Sequence, residues 1–387
     1  MMVLGNLDNI GSVPALPPFD EGVLEFFSDL SRSLTKVREY SDVATFGFWC
    51  RKAALLAEKA KYDDLDSRLG RGVVFHSTPS NVPVNFAFSF AAGLLSGNAN
   101  IVRLPGKDFE QVSIITDAVA ELLADKHNNL APYVCFVKYP PDRSLHDRFS
   151  SICDVRVIWG GDGTIRELRE SSLKPRAIEL TFADRYSAAV INADGYLVSA
   201  DKAKIAQDFY NDTYFNDQNA CTAPKILFWL GSETERAKAV FWESVQALAE
   251  EKYSLAPVQS VGKLGAFYRA SAGLSARLAD CGNSINSFVT RACISKLTDD
   301  TMDFRSHSGF FLECDIDSLH DILPVCGERL QTLAYFGVAR SDIERFVMES
   351  RPRGIDRVVP IGSTMDFSLT WDGHDLIRAM TRVVKIS

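Results

Sequence analysis

Cys221 stands where a reacting group would be placed. It lies in Phe215-Asn216-Asp217-Gln218-Asn219-Ala220-Cys221-Thr222-Ala223-Pro224, among small and amide-bearing residues. The apolar run Lys225-Ile226-Leu227-Phe228-Trp229-Leu230 follows and stops at Gly231. That run has the length and composition of a buried strand. The thiol therefore sits in a loop entering a strand, on the kind of rigid support from which reactive groups project. Once ionised it attacks a carbonyl carbon, given a neighbour that lowers its pKa or takes its proton. A cysteine in such a run also reads as a small buried hydrophobe, and the stretch alone leaves both readings open.

Four other stretches carry groups of the right chemistry. In Pro79-Ser80-Asn81-Val82-Pro83 two prolines fix a turn and leave an amide at its apex. Asn81 there can donate to a developing oxyanion or stabilise its own turn. Glu179 lies inside Ala177-Ile178-Glu179-Leu180, where an apolar setting disfavours the charged form and suits a general acid or base. The alternative is an outward-facing residue of an edge strand. Trp159-Gly160-Gly161-Asp162-Gly163-Thr164 puts glycines at a strand-to-helix turn, where a cofactor can approach the backbone closely. It is not G-x-G-x-x-G and serves a tight connection equally well. Arg103 closes an apolar run and can meet a ribose or phosphate, or simply be solvated.

The elements that must position these groups follow from periodicity. Residues 1–19 read as an extended lead-in. Asp20 caps a helix to about Val37 and Asp42 a second to about Lys61, each with apolar residues at helical spacing. Short β-rich runs then alternate with helical stretches: 72–76, helix 82–95, 100–104, helix 108–124, 133–137, and 155–159 with a helix to about Glu170. Such alternation means βαβ units and a parallel sheet, which 176–180 and 187–191 are expected to extend. Ligands bind such sheets beyond the carboxyl ends of the strands, where Pro79–Asn81, Arg103 and Gly160–Gly163 fall. Beyond a helix at 200–214 come the Cys221 strand, helices over 232–251 and 260–280, strands near 288–294, 309–314 and 331–336, and a tail with a helix near 375–384. The reading is an α/β chain with a Rossmann-type domain over 1–192, to which 355–387 return or through which copies of the chain meet, and a second αβ domain over 193–354 carrying Cys221.

Composition narrows the class. A chain of 387 residues suits two domains of roughly 100–200 residues. Its 46% hydrophobic and 24% charged content is that of a folded globular protein. A formal net charge of -8 argues against nucleic acid as a general partner. The 8 cysteines form no C-x-x-C and have no histidine at zinc spacing, so reduced thiols, no metal and a cytoplasmic location are expected. The first residues lack the pattern of a signal peptide. The longest apolar stretch, Val82 to Leu95, is interrupted and too short to span a bilayer.

Taken in order, these stretches resemble the aldehyde dehydrogenase superfamily, whose site joins an Asn of a P-x-N-x-P turn, a Glu and a Cys. Within it the chain is more similar to the long-chain acyl-CoA reductase family (LuxC-like, the reductase component of bacterial bioluminescence). The carriers are Ser80-Asn81-Val82-Pro83-Val84-Asn85, Gly93-Leu94-Leu95-Ser96-Gly97-Asn98, Trp159-Gly160-Gly161-Asp162, Asp217-Gln218-Asn219-Ala220-Cys221, Gln331-Thr332-Leu333, and Gly354-Ile355-Asp356-Arg357 with Trp371-Asp372-Gly373. They run over about residues 70–385. The resemblance implies an aldehyde-dehydrogenase-like fold and NADPH-dependent reduction of an acyl thioester to an aldehyde. Cys221 would accept the acyl group, Asn81 with the Cys221 backbone N–H would hold the oxyanion, and Glu179 would match the general base. Pro79, Ser80, Arg103, Gly160, Gly161 and Thr164 would line the cofactor. The acyl donor would be coenzyme A or a protein, with an acyl-protein synthetase or acyltransferase as possible partner and a homo-oligomer as the assembly. Glu179-Leu180 continues with Thr181-Phe182 where the superfamily has Gly-Gly, and the N-terminal part reads as shorter than in the bioluminescence reductases. A catalytically idle member partnering an acyl-activating enzyme, or an aldehyde-oxidising dehydrogenase, are the alternatives.

Overall fold

Two largely parallel sheets form, each within its own compact unit: residues 1–183 with 367–387, and residues 184–366. The computed structural model describes residues 2–80, 82–279 and 288–386.

In the first unit the strand order is Met2–Leu4, Val134–Val137, Ala99–Arg103, Val73–Ser77, Val155–Trp159, Ile178–Phe182. Only the first pairing is antiparallel. The inner strands are buried along nearly their whole length, because helices cover the parallel sheet on both faces. Asp20 caps Glu21–Leu34 as expected, its carboxylate accepting from the N–H groups of Gly22 and Val23. The second expected helix is two, Ser41–Trp49 and Lys52–Lys59, and Asp42 caps neither. Arg51 adopts an extended conformation between them, which ends the hydrogen-bond ladder although the apolar spacing runs through.

A buried polar chain sets the helix Asn85–Leu95 on this sheet. Trp159 Nε1 donates to Ser89 Oγ (2.9 Å), which lies 2.7 Å from His76 Nδ1, while His76 Nε2 lies 3.0 Å from Asn100 Oδ1. Burial pushes His76 down to about 4, so the ring is neutral. The Asn100 side-chain carbonyl then accepts a hydrogen bond from Nε2–H, and every member is satisfied. Gly93 permits the arrangement, since a Cβ there would meet Asn100 Oδ1 at 2.0 Å. Asn98 Nδ2 donates to the carbonyls of Gly93 and Met380. The Gly93–Asn98 motif thus serves packing.

The second sheet runs Arg277–Leu278, Thr290–Cys293, Phe310–Ile316, Pro224–Leu230, Tyr186–Asn192, Leu330–Phe336, Arg357–Pro360, again antiparallel only in its first pair. Here the structure departs from expectation. The run 187–191 does not extend the first sheet; Tyr186–Asn192 pairs with Pro224–Leu230 and Leu330–Phe336. The units accordingly divide after Ala183. The tail is shared: Arg357–Pro360 completes the second sheet, whereas Thr381–Val383 pairs with Arg68–Gly70 in the first unit. The helix expected over 260–280 ends at Leu274, where Ser275 takes a left-handed conformation and the strand Arg277–Leu278 follows; Cys281 lies outside the described residues.

One ionic cluster is built into the second core. Glu313 is 1% exposed. Its Oε1 accepts from the indoles of Trp229 (2.7 Å) and Trp242 (2.6 Å). Its Oε2 accepts two bonds from Arg291 (3.0 and 2.7 Å) and one from the Cys293 thiol (3.3 Å).

Candidate functional site

The loop before the Pro224–Leu230 strand is fixed by side chains that the sequence left unassigned. Asp217 and Gln218 both take positive φ, 52° and 59°. Gln218 is fully buried, and its amide donates to the carbonyls of Pro224 (2.9 Å) and Phe310 (3.0 Å) while accepting from Gly309 N–H (3.0 Å). The Asp217 carboxylate accepts from the Tyr253 hydroxyl (2.8 Å), and its carbonyl from Ser308 N–H (2.9 Å). Ser187 Oγ donates to the Cys221 carbonyl at 2.7 Å. Two αL residues and these anchors hold the turn that presents Cys221, itself partly exposed. Gln218→Leu leaves two carbonyls and one N–H unmatched at a position that also disfavours a branched side chain. The expected cost is about 2–4 kcal/mol in urea unfolding, with a fall of about 10²-fold in turnover from displacement of the thiol.

The other described cysteines are poor candidates. Burial pushes the thiols of Cys135 and Cys314 up to about 11, and those of Cys153, Cys293 and Cys326 up to about 12. Nucleophilic attack needs the thiolate.

A cationic surround belongs to the same unit. Lys225, only 7% exposed, follows Pro224 at the start of the strand. Arg357 donates to the carbonyls of Ser363, Thr364 and Asp366 at 2.7–2.8 Å. Buried Asp212 accepts from the N–H groups of Gly362 (2.6 Å) and Thr364 (3.1 Å). Between them these two residues clamp 362–366, whose Met365 Sδ lies 3.3 Å from Thr222 Oγ1. Cys221 interacts electrostatically with both Lys225 and Arg357. None of these was singled out from sequence as functional. The available signal was Lys225 itself, a lone cation opening an apolar strand.

In the first unit, the expected cofactor residues gather at the carboxyl ends of neighbouring strands. Pro79 and Ser80 follow Val73–Ser77, Arg103 ends the adjacent strand, and Gly160, Gly161 and Thr164 follow Val155–Trp159. Thr78 Oγ1 ties the first two by donating to the Arg103 carbonyl (2.5 Å). The Arg103 guanidinium lies over the Tyr139 ring, 4.9 Å from its centroid, and has no carboxylate partner among the described residues. Asn81 lies outside the described residues.

Glu179 is placed differently. It pairs with Arg156, the second residue of its strand, and so lies toward the amino end of the sheet. Arg156 Nε and Nη2 donate to its Oε2 at 2.9 and 2.5 Å, and Arg169 Nε to its Oε1 at 2.7 Å. Arg156, buried, also donates to Ser150 Oγ and the carbonyls of Leu168 and Ser171. Both carboxylate oxygens are therefore engaged. At the carboxyl end of the same strand Phe182 stacks on Trp159, with ring centroids 3.8 Å apart.

The residues at the carboxyl ends fit a nicotinamide dinucleotide. A Cβ on Gly161 or Gly163 would meet nothing within 4 Å, so both stand beside open space. Asn85 Oδ1, in the first helical turn beyond the Pro79–Pro83 corner, is buried with no hydrogen-bond partner among the described residues. An unpaired arginine supplies the charge a phosphate needs. Among the described residues no group of three or more His, Cys, Asp or Glu could hold a metal ion, and no helix is long and apolar enough to cross a membrane.

Comparison with known proteins bears on the family and the fold. The family model for acyl-CoA reductase (LuxC) matches residues 51–260. The long-chain acyl-protein thioester reductase of Vibrio harveyi is 25% identical over 219 residues, 51% of this chain and 44% of that protein. Its namesake from Photorhabdus laumondii is 25% identical over 181 residues, 46% of this chain and 36% of that protein. The matches thus span less than half the length of these relatives. Among solved structures, an indole-3-acetaldehyde dehydrogenase complexed with NAD+ superposes with TM-score 0.65 at 14% identity, covering 94% of this chain and 82% of that one. Succinic semialdehyde dehydrogenase from Streptococcus pyogenes, in complex with NADP+, gives TM-score 0.63 at 14% identity, covering 94% and 90%. The fold is that of the aldehyde dehydrogenases.

Proposed function

The chain belongs to the acyl-CoA reductase (LuxC) family, and from that premise we propose that it reduces an acyl thioester to an aldehyde through an acyl group carried on Cys221. The observation that carries this reading is the Cys221 loop: a partly exposed thiol on a backbone pinned by Gln218 and Ser187. The thiol sulfur attacks the thioester carbonyl, a new C–S bond forms, and the donor leaves as its thiol. The Cys221 backbone N–H holds the oxyanion, with Asn81 in the donor role that the resemblance gives it. Each such donor is commonly worth about 3–4 kcal/mol in the transition state.

NADPH, when bound, supplies the hydride that turns the acyl carbon into that of an aldehyde. Pro79, Ser80, Gly160, Gly161 and Thr164 would hold it by backbone approach, with Arg103 on the adenosine side. Reduction needs no activated water, so Glu179 serves here as the counter-ion of Arg156 and Arg169. The names of the relatives favour a protein-borne acyl group handed over by an acyl-transfer partner, with coenzyme A as the small-molecule alternative. A homo-oligomer in the cytoplasm completes the reading.

The test follows each product separately. The protein is incubated with an acyl-CoA, or an acylated partner protein, without cofactor, and the mass of the Cys221 peptide is measured. A gain of one acyl group is expected, and its loss as aldehyde when NADPH is added. No acyl gain from either donor and no aldehyde would overturn the proposal. Arg103→Ser is expected to raise the KM for NADPH by about 10–100-fold, the worth of a charged hydrogen bond of 1.5–3 kcal/mol. The KM for NADH should change much less, and steady-state kinetics with both cofactors checks this.

A further inference from the structure

The strand that leaves the Cys221 loop is irregular at its second residue. Ser187 pairs with Pro224 and the next residue, Ala188, with Ile226, so Lys225 is the unpaired residue of a β-bulge. Bulges are uncommon between parallel strands, recur beside active sites and re-aim a side chain. The bulge adjoins the thiol: Ser187, which pairs with Pro224, also donates to the Cys221 carbonyl, and a turn closes from Ala223 N–H to the Ala220 carbonyl. The lysine is 7% exposed, yet no hydrogen bond or ion pair takes its Nζ among the described residues. Buried ammonium groups are ordinarily paired. A buried lysine without a partner beside a nucleophilic thiol has the features of a proton acceptor.

We infer that Lys225 takes the proton of the Cys221 thiol and returns it to the thiol that leaves the acyl donor. The inference rests on the acyl-transfer reading above. The proton count closes. Neutral Lys225 becomes ammonium as the sulfur turns nucleophilic, the sulfur–acyl bond forms, the donor C–S bond breaks, and the departing thiolate takes the proton back. Reduction of the acyl group then releases the aldehyde and leaves Cys221 as thiolate; the one proton that the overall reduction consumes is taken from water by Lys225, whose ammonium form then pairs the thiolate.

The surroundings poise the lysine for this exchange. Burial is the main cause that brings it down to about 7, the nearby Arg305 guanidinium adds to the effect, and Cys221 and Asp184 oppose it. His307 also faces it, and its own pKa is lowered by burial first and by Lys225 second. Near neutral pH the amine is therefore part neutral and part charged, as a group that both takes and gives a proton must be.

Two measurements test this on the full chain. Single-turnover acyl transfer to Cys221 from an acyl-CoA, and alkylation of Cys221 by iodoacetamide mapped by peptide mass, are followed against pH. In the wild type both rise through an inflection near 7. With Lys225→Met, acyl transfer is expected to fall by about 10²–10⁴-fold. The alkylation inflection should move toward that of an unassisted thiol, about 8.5. Added methylamine should restore part of the rate. Lys225→Arg, which keeps the charge and cannot give up its proton, should stay slow in acyl transfer. Lys225→Gln carries the same comparison if the methionine variant does not fold. Wild-type rates and profiles in the folded Met or Gln variant, or the same loss appearing only in His307→Gln, would overturn the assignment. If the wild type accepts no acyl group at all, the reductase reading falls. The alkylation profile then decides Lys225 alone: a shift on substitution supports it, and an unchanged profile overturns it.

Discussion

Cys221→Ser is expected to cut aldehyde formation by at least about 10⁴-fold, the scale on which nucleophile deletions act in covalent catalysis. The exchange is nearly isosteric, and Gln218 and Ser187 hold the backbone through bonds that do not involve the thiol. The fold should therefore stay intact while the reacting atom changes. A serine hydroxyl stays protonated where a thiol ionises, so the hydroxyl needs a stronger base than this loop offers. Aldehyde release, cofactor binding by calorimetry and the acyl mass gain separate the cases. Loss of aldehyde and acyl gain with unchanged cofactor binding is the expected pattern. Retention of turnover within tenfold would remove the covalent step.

The largest loss of stability is expected at Glu313. Glu313→Leu leaves the Arg291 guanidinium and the indole N–H groups of Trp229 and Trp242 without their shared acceptor. Breaking a buried ion pair from one side costs about 3–5 kcal/mol, because the remaining charge stays desolvated. Glu313→Gln keeps one acceptor oxygen and should lose less. The midpoint of urea unfolding reads both, with the second sheet's tryptophan fluorescence as probe. A loss under about 1 kcal/mol for Leu would mean that Arg291 finds another partner or reaches solvent. The cluster lies apart from the Cys221 loop in its bonding, so a folded Gln variant should still alkylate at Cys221 as the wild type does.

Much of this fold was legible. Val155–Trp159 combines β-branched and aromatic residues with complete burial, Phe310–Ile316 is buried except at Asp315, and short apolar runs between turn residues announce strands of a covered parallel sheet. Their sheet membership was not legible. Ser187–Ile191 and Ile178–Leu180 look alike in sequence, and only pairing assigns them to different sheets. The break at Arg51 was hidden because helical spacing of apolar residues continues across it. At the candidate site, Cys221 and its strand could be read from local chemistry. Glu179 was recognised as a carboxylate in an apolar strand, but its partners were missed. Arg156 sits in the facing position of the neighbouring strand, and charges at matched positions of adjacent strands are the signal that would have found it. Gln218 and Lys225 depend on positive φ and on a bulge, which no periodicity encodes.

The first unit is interrupted in the chain and the second is not. A ribosome therefore finishes residues 184–366 while the strand Thr381–Val383, the partner of Arg68–Gly70, has yet to be made. Until that tail is made and released, the earlier half waits with an unmatched edge and an uncovered Leu376–Met380 seat. That waiting surface is where a nascent chain of this kind is most exposed to holding chaperones and to mispairing with its neighbours on a polysome.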